Sequence, residues 1–253
     1  MRVTNKSSLN LLLRPQSTAF GRSFSTDNRT LEQNLKVKYD ESQVDQLGDS
    51  LTQIDENDQV IGPVSKLHGH LKPDGKPVQL AHRAFSLFLF NARNELLMTQ
   101  RSAKKITFPN MWTNTCCSHP RHTADEMDLS EGYVGPRRAS VRRTEFELGI
   151  KDLQVDQIYC GAKILYYADA CDTFAEHELD YILFAKVDNL ADYEVNVDEV
   201  KDSEWVGRSD LDAFLNERHA KNGDEITPWF ALLKERKLDA WWQEIEKSGT
   251  FPD

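Results

Sequence analysis

The chain has 253 residues, with 31 Lys and Arg against 41 Asp and Glu, a net charge of -10, 39% hydrophobic residues and 28% charged ones. That length and composition suit one well-buried domain with a terminal extension and exclude disorder over most of the chain. The acidic total disfavours a general nucleic-acid binder while leaving room for a local basic cleft, and no apolar run approaches the ~20 residues of a membrane span.

Residues 1–30 depart from that balance. Arg2, Lys6, Arg14, Arg22 and Arg29 face a single acid, Asp27, which gives +4 and leaves -14 on the remainder. Five serines and a Leu11-Leu12-Leu13 run complete the pattern of an organellar transit peptide, and a mitochondrial presequence cut near Arg22-Ser23-Phe24-Ser25 is predicted. Pro15 interrupts any amphipathic helix there, so an untargeted disordered tail is the competing reading. A cytosolic or peroxisomal pool is left open. Residues 31–50 read as a polar approach segment to a domain spanning 51–253. Four cysteines, with Cys116 and Cys117 adjacent, make a poor disulfide framework, which predicts reduced thiols and an intracellular compartment.

Residues 53–62 read as a short hairpin around an Asn57-Asp58 turn. A second hairpin is predicted from residues 85–90 and 95–101 around a turn at 91–94. Met111-Trp112 reads as a strand, and residues 113–120 as a polar, turn-forming loop. A helix lies between Gly135 and Gly149, with Pro136 near its first position, Gly149 past its last, and apolar repeats at i, i+7 in Ala139 with Phe146 and Val141 with Leu148. Strands follow at 157–160, 164–168, 176–187 and 203–206, then helices at 208–218 and 228–247. This irregular alternation predicts an α/β fold with a mixed β-sheet.

Glu176-His177-Glu178 opens a strand, whose period of two puts both carboxylates on one face and His177 on the other. A solvated strand end gives the same pattern. His70, His82 and His119 lie near segment ends, and three imidazoles with two carboxylates make a mixed N/O ligand set for Mg2+, Mn2+ or Zn2+. The loop Thr113-Asn114-Thr115-Cys116-Cys117-Ser118-His119-Pro120 carries two thiols. Adjacent side chains on extended backbone diverge, so at most one thiol reaches a cleft. Arg101 and Lys105 flank a further loop. Arg143 and Glu147, four apart on one helical face, either help to hold a diphosphate or form an ordinary surface ion pair.

Taken in order, Lys66, His70, His82-Arg83-Ala84-Phe85-Ser86, Gln100-Arg101-Ser102, Thr107-Phe108-Pro109, the 113–120 run, Glu147-Leu148-Gly149, Glu176-His177-Glu178-Leu179-Asp180-Tyr181 and Thr227-Pro228-Trp229-Phe230 closely resemble the type I isopentenyl-diphosphate isomerases. The match runs from about Leu51 to Trp242. It implies a Nudix-like α/β/α sandwich that interconverts isopentenyl and dimethylallyl diphosphate, with a small isoprenoid diphosphate as its ligand. By position, the resemblance makes His70, His82, His119, Glu176 and Glu178 metal ligands and Cys117 with Glu178 the catalytic pair, Tyr166 standing beside the acid. Lys66, Arg101, Lys105, Ser118 and Arg143 become substrate contacts, Trp229 a ring over the isoprenoid, and Glu147 the ligand of a second Mg2+ bound to the diphosphate. A Nudix-type hydrolase is the alternative. Its helix requires acids that Arg142-Arg143-Thr144-Glu145-Phe146-Glu147-Leu148-Gly149 lacks at two positions.

Overall fold

The computed structural model describes residues 9–10, 28–188 and 193–252; the presequence assigned to residues 1–30 falls almost wholly outside them. In chain order the elements begin with β1 (Leu9–Asn10), α1 (Asn28–Lys38) and α2 (Glu41–Asp45). The hairpin strands β2 (Ser50–Ile54) and β3 (Val60–Ser65) follow, then α3 (Lys66–His70), β4 (Ala81–Asn91), β5 (Leu96–Arg101), β6 (Trp112–Thr113) and β7 (Cys116–Ser118). Next come α4 (Ala124–Met127), α5 (Ser130–Leu148), β8 (Ile158–Asp169), β9 (Ala175–Val187), β10 (Val200–Val206), α6 (Leu211–Asn222), α7 (Pro228–Leu233) and α8 (Asp239–Ser248). No helix among the described residues is long and apolar enough to cross a membrane.

The fold is an α/β/α sandwich on a mixed sheet. At its centre, β4 pairs in parallel with β9 from His82 opposite Glu178 to Asn91 opposite Val187, and antiparallel with β7. On the far side of β9 lies β8, antiparallel to it. Alternation along the central strands builds two cores. Phe88, Phe90, Ile182 and Phe184 point to one face and meet Phe230, Leu233, Trp242 and Ile245 of α7 and α8. Phe85, Leu87, Leu89, Tyr181 and Leu183 point to the other and meet Ala139 and Leu148 of α5. Each fully buried Phe or Leu contributes roughly 1.5–3 kcal/mol by transfer from water.

The first predicted hairpin forms, with Asp55 Oδ1 accepting the N–H groups of Asn57 and Gln59 across its turn. The second forms only at its base. β4 and β5 share the single pair Phe90 and Leu96, after which β5 turns away to pair with β10. Residues 85–90 are buried on both faces, as a central strand with parallel and antiparallel neighbours must be. The predicted loop at 113–120 holds a strand instead, because β7 completes the pairing of β4. The strands at 157–160 and 164–168 are one, β8, whose pairing with β9 shifts register between Cys160 and Ala162.

Regular helix in α5 starts after Glu131, Gly132 and Tyr133, which have positive φ, and ends at Gly149, whose φ of 67° is the left-handed cap that the sequence predicts. Phe146 stays 47% exposed, with the Arg143 guanidinium 4.7 Å from its ring centroid, so the repeat with Ala139 does not mark a buried pair. The stretch 31–50, read as a polar approach segment, contains α1, α2 and a helical turn at Gln46–Gly48. Its Leu35, Val44 and Leu47 share a buried cluster with Phe174.

At the bulge in β8, a Cβ on Gly161 would lie 2.6 Å from the Pro252 carbonyl oxygen and 2.8 Å from the Phe184 ring. Gly161→Val is expected to lower stability by about 1–3 kcal/mol through overpacking, measured as the midpoint of urea unfolding. An unchanged midpoint contradicts this account of the bulge.

Candidate active site

The register of three neighbouring strands assembles the site. Tyr166 on β8 lies opposite Glu178 on β9, and Glu178 lies opposite His82 on β4. Paired residues share a face, so hydroxyl, carboxylate and imidazole form one row on the side covered by α7. Ser86 lies two pleats further along β4, opposite Cys117 of β7, which brings the thiol to that face and sends Cys116 into the opposite core.

Three imidazoles converge on Glu178. Its Oε1 lies 2.7 Å from His119 Nε2, 3.3 Å from His82 Nε2 and 3.6 Å from His70 Nε2. His70 Nδ1 is 2.7 Å from the Lys66 carbonyl within α3, and donating there leaves Nε2 free to face the carboxylate. Arg142 secures the chain around His119: it donates to the His119 carbonyl at 3.3 Å and pairs with Glu126, whose other oxygen accepts the Arg121 N–H. Both ring nitrogens of His82 are buried without a hydrogen-bond partner among the described residues. Burial lowers His82 to about 4 and holds His119 well below the usual histidine range, the neutral form that ligates metal.

His70, His82, His119 and Glu178 thus form a group able to hold a metal ion, with one ligand atom from each lying within 4.8 Å of the others. Orphaned buried ring nitrogens facing a shared carboxylate fit such an ion well. Glu176 stands beside this group. The Tyr166 hydroxyl links the two acids, at 3.0 Å from Glu176 Oε2 and 2.5 Å from Glu178 Oε2. Burial and then the Glu178 charge push Glu176 up to about 7. Burial also acts to raise Glu178, but His119, His70 and His82 hold it well below the ordinary carboxylate range.

The same pocket is lined by Lys66, Arg101, Lys105, Ser118, Arg143, Cys117 and Trp229. Burial, then repulsion from Lys105 and Arg143, brings Lys66 down to about 8, so these cations converge. Arg101 donates to the Phe108 and Thr107 carbonyls and lies 5.6 Å from the Trp229 ring centroid. Glu147 meets Arg143 at 2.5 Å, apart from the histidine group. Burial, then the Asp180 charge, pushes the Cys117 thiol up to about 12, against the Ser86 hydroxyl and Arg101, which lower it.

The sequence points to Trp229 only as a ring, yet its indole N–H lies 3.1 Å from Cys117 Sγ and 3.2 Å from Asn114 Oδ1. The sequence assigns no role to Asn114, fully buried with its amide donating to the Leu87 carbonyl at 3.0 Å, or to Glu199, paired with Lys105 and Arg143. Asn114 lies inside the motif between two threonines, where its polarity reads as a turn.

Residues 80–230 match the NUDIX domain family. The chain is 38% identical to isopentenyl-diphosphate Delta-isomerase I of Clarkia breweri, over 99% of this chain and 84% of that one. The chain belongs to the isopentenyl-diphosphate Delta-isomerases of the NUDIX superfamily. Other members are the Gibberella zeae isopentenyl-diphosphate delta-isomerase, 41% identical over 82% of this chain and 81% of its own, and a Cannabis sativa isopentenyl-diphosphate Delta-isomerase 1 named chloroplastic, 43% identical over 79% and 69%.

If the four grouped side chains are the ligands in this isomerase-family chain, His119→Ala and Glu178→Gln each weaken binding of Mn2+ by ~10-fold or more, read by electron paramagnetic resonance of free ion. Unchanged binding in both variants removes the site.

Proposed function

We propose that this chain interconverts isopentenyl diphosphate and dimethylallyl diphosphate, shifting one C=C bond and leaving the diphosphate intact. The observation that carries the reading is a single pocket in which Cys117 and Glu178 stand between an aromatic wall and a group of cations. A NUDIX fold whose α5 lacks two acids of the hydrolase pattern is in keeping with isomerisation rather than hydrolysis.

Lys66, Arg101, Lys105, Ser118 and Arg143 bind the diphosphate, with Glu147 as the protein ligand of a second Mg2+ that it carries. His70, His82, His119, Glu176 and Glu178 hold a divalent ion, which we read as Mg2+, with Mn2+ or Zn2+ as alternatives on this donor set. When bound, that ion supplies positive charge that offsets the repulsion between the paired carboxylates.

Glu178, backed by the Tyr166 hydroxyl, acts from its protonated form, which burial favours and the three facing imidazoles oppose, and delivers that proton to the terminal CH2. The electrons of the C3=C4 bond form the new C4–H bond, leaving a tertiary carbocation at C3. Cys117, as thiolate on the opposite side, removes a proton from C2, and those electrons become the C2=C3 bond. The indole N–H of Trp229, the Ser86 hydroxyl and Arg101 all favour the thiolate against its burial. Trp229 also closes the pocket against water, and its electron-rich ring favours the cation by ~0.5–2 kcal/mol.

The basic extension is read as an organellar import signal. Its contrast with the acidic domain supports import, the chloroplastic relative is in keeping with it, and the mitochondrion is our reading of the destination.

Incubation with isopentenyl diphosphate and Mg2+ separates the two enzymatic readings: the isomer forms without phosphate release, whereas phosphate release without the isomer marks a hydrolase. Cys117→Ala should lower kcat by roughly 100- to 10,000-fold, while Cys116→Ala, facing the other core, has a mild effect. Equal loss in both variants overturns the assignment of the base.

A further inference from the structure

Lys105 and Arg143 line the pocket, but the group that holds them does not. Glu199, 2% exposed, stands behind both: its Oε2 lies 2.5 Å from Lys105 Nζ and 3.2 Å from Arg143 Nη2. Its other oxygen accepts from the side-chain amides of Gln43 at 2.9 Å and Gln46 at 2.6 Å. The carboxylate is therefore bonded on both oxygens, and its position is fixed from two directions. Gln46 also accepts from Arg143 Nη1 at 3.2 Å through its own carbonyl oxygen. At the backbone, the Glu199 carbonyl accepts the N–H of Ser102, the residue that starts the turn carrying Lys105.

Two flexible cations repel each other and lose rotamer freedom when aimed at one anion. A fixed carboxylate paired with both, alongside Glu147 on Arg143, meets both costs before any ligand arrives. Gln43 and Gln46 precede the residues that match the NUDIX domain, so this anchor draws on a segment outside the match.

We propose that Glu199, braced by Gln43 and Gln46, is a positioning residue that holds Lys105 and Arg143 in place for the substrate's diphosphate. The inference rests on the diphosphate reading given above. Glu199 touches no reacting atom, so its loss acts on binding.

The test uses the full chain with saturating Mg2+. Calorimetry gives Kd for inorganic diphosphate, and steady-state assays give KM and kcat for isopentenyl diphosphate, in the wild type, Glu199→Gln and Gln46→Ala. In Glu199→Gln, Kd and KM are expected to rise about tenfold with kcat changed less than twofold; in Gln46→Ala, which retains the charge but not its brace, they rise about threefold. Should Glu199→Gln fail to fold, the Gln46→Ala result decides. Lowered melting temperatures with unchanged Kd and KM make the anchor merely structural and overturn the proposal. Wild-type protein that neither binds inorganic diphosphate nor turns over the substrate overturns the diphosphate reading itself, and this inference with it.

Discussion

One carboxylate oxygen organises the site. Glu178 Oε1 lies within 3.6 Å of three imidazole nitrogens, and its partner oxygen takes the Tyr166 hydroxyl. An acid at 4% exposure is costly to ionise unless it is paired, so the surrounding donors must be held in place by the fold. The sheet does this through register. Parallel β4 and β9 put His82 beside Glu178, antiparallel β8 puts Tyr166 on its other flank, and α3 and the turn after β7 bring in His70 and His119. A one-residue slip of β9 would turn Glu176 and Glu178 to the opposite core and bring His177 in their place.

From that carboxylate the pocket extends in two chemical directions. One wall is aromatic and thiol-bearing: Trp229 meets Cys117 through its N–H and stands 6.1 Å, centroid to centroid, from the Tyr166 ring. The other is cationic, with Lys105 and Arg143 set against Glu199. An allylic shift in a charged isoprenoid needs both, since a diphosphate must be held in water-facing charge while a cation forms in a dry enclosure. The two cores of the sandwich serve the same division. Trp229 and Tyr166 belong to the core under α7, whereas Cys116, one residue from Cys117, packs in the core under α5.

The sequence made part of this legible. Alternation at Glu176-His177-Glu178 places both acids on one face, and the divergence of Cys116 from Cys117 follows from the same rule. Gly149 ends α5 with the backbone that its position predicts. Long-range pairing is where local pattern fails. Phe85–Phe90 is apolar on both faces, which suits a hairpin and a central strand equally, and only the partner strand β9, some ninety residues on, decides between them. Glu199 was invisible for a related reason: an acid just before a strand reads as a solvated end, and its partners Lys105, Arg143, Gln43 and Gln46 come from three separate stretches of chain. The histidines carry no spacing that marks a metal site, and it was their resemblance to a family motif that joined them.

The account stands on an ion held between the three imidazoles and Glu178. Anomalous diffraction from crystals grown with Mn2+ locates it directly. The account predicts a peak bonded to Nε2 of His70, His82 and His119 and to a Glu178 oxygen, with Glu176 drawn toward it. A peak confined to the Arg143 and Glu147 region, or His119 still hydrogen-bonded to Glu178 in the presence of saturating Mn2+, would contradict it.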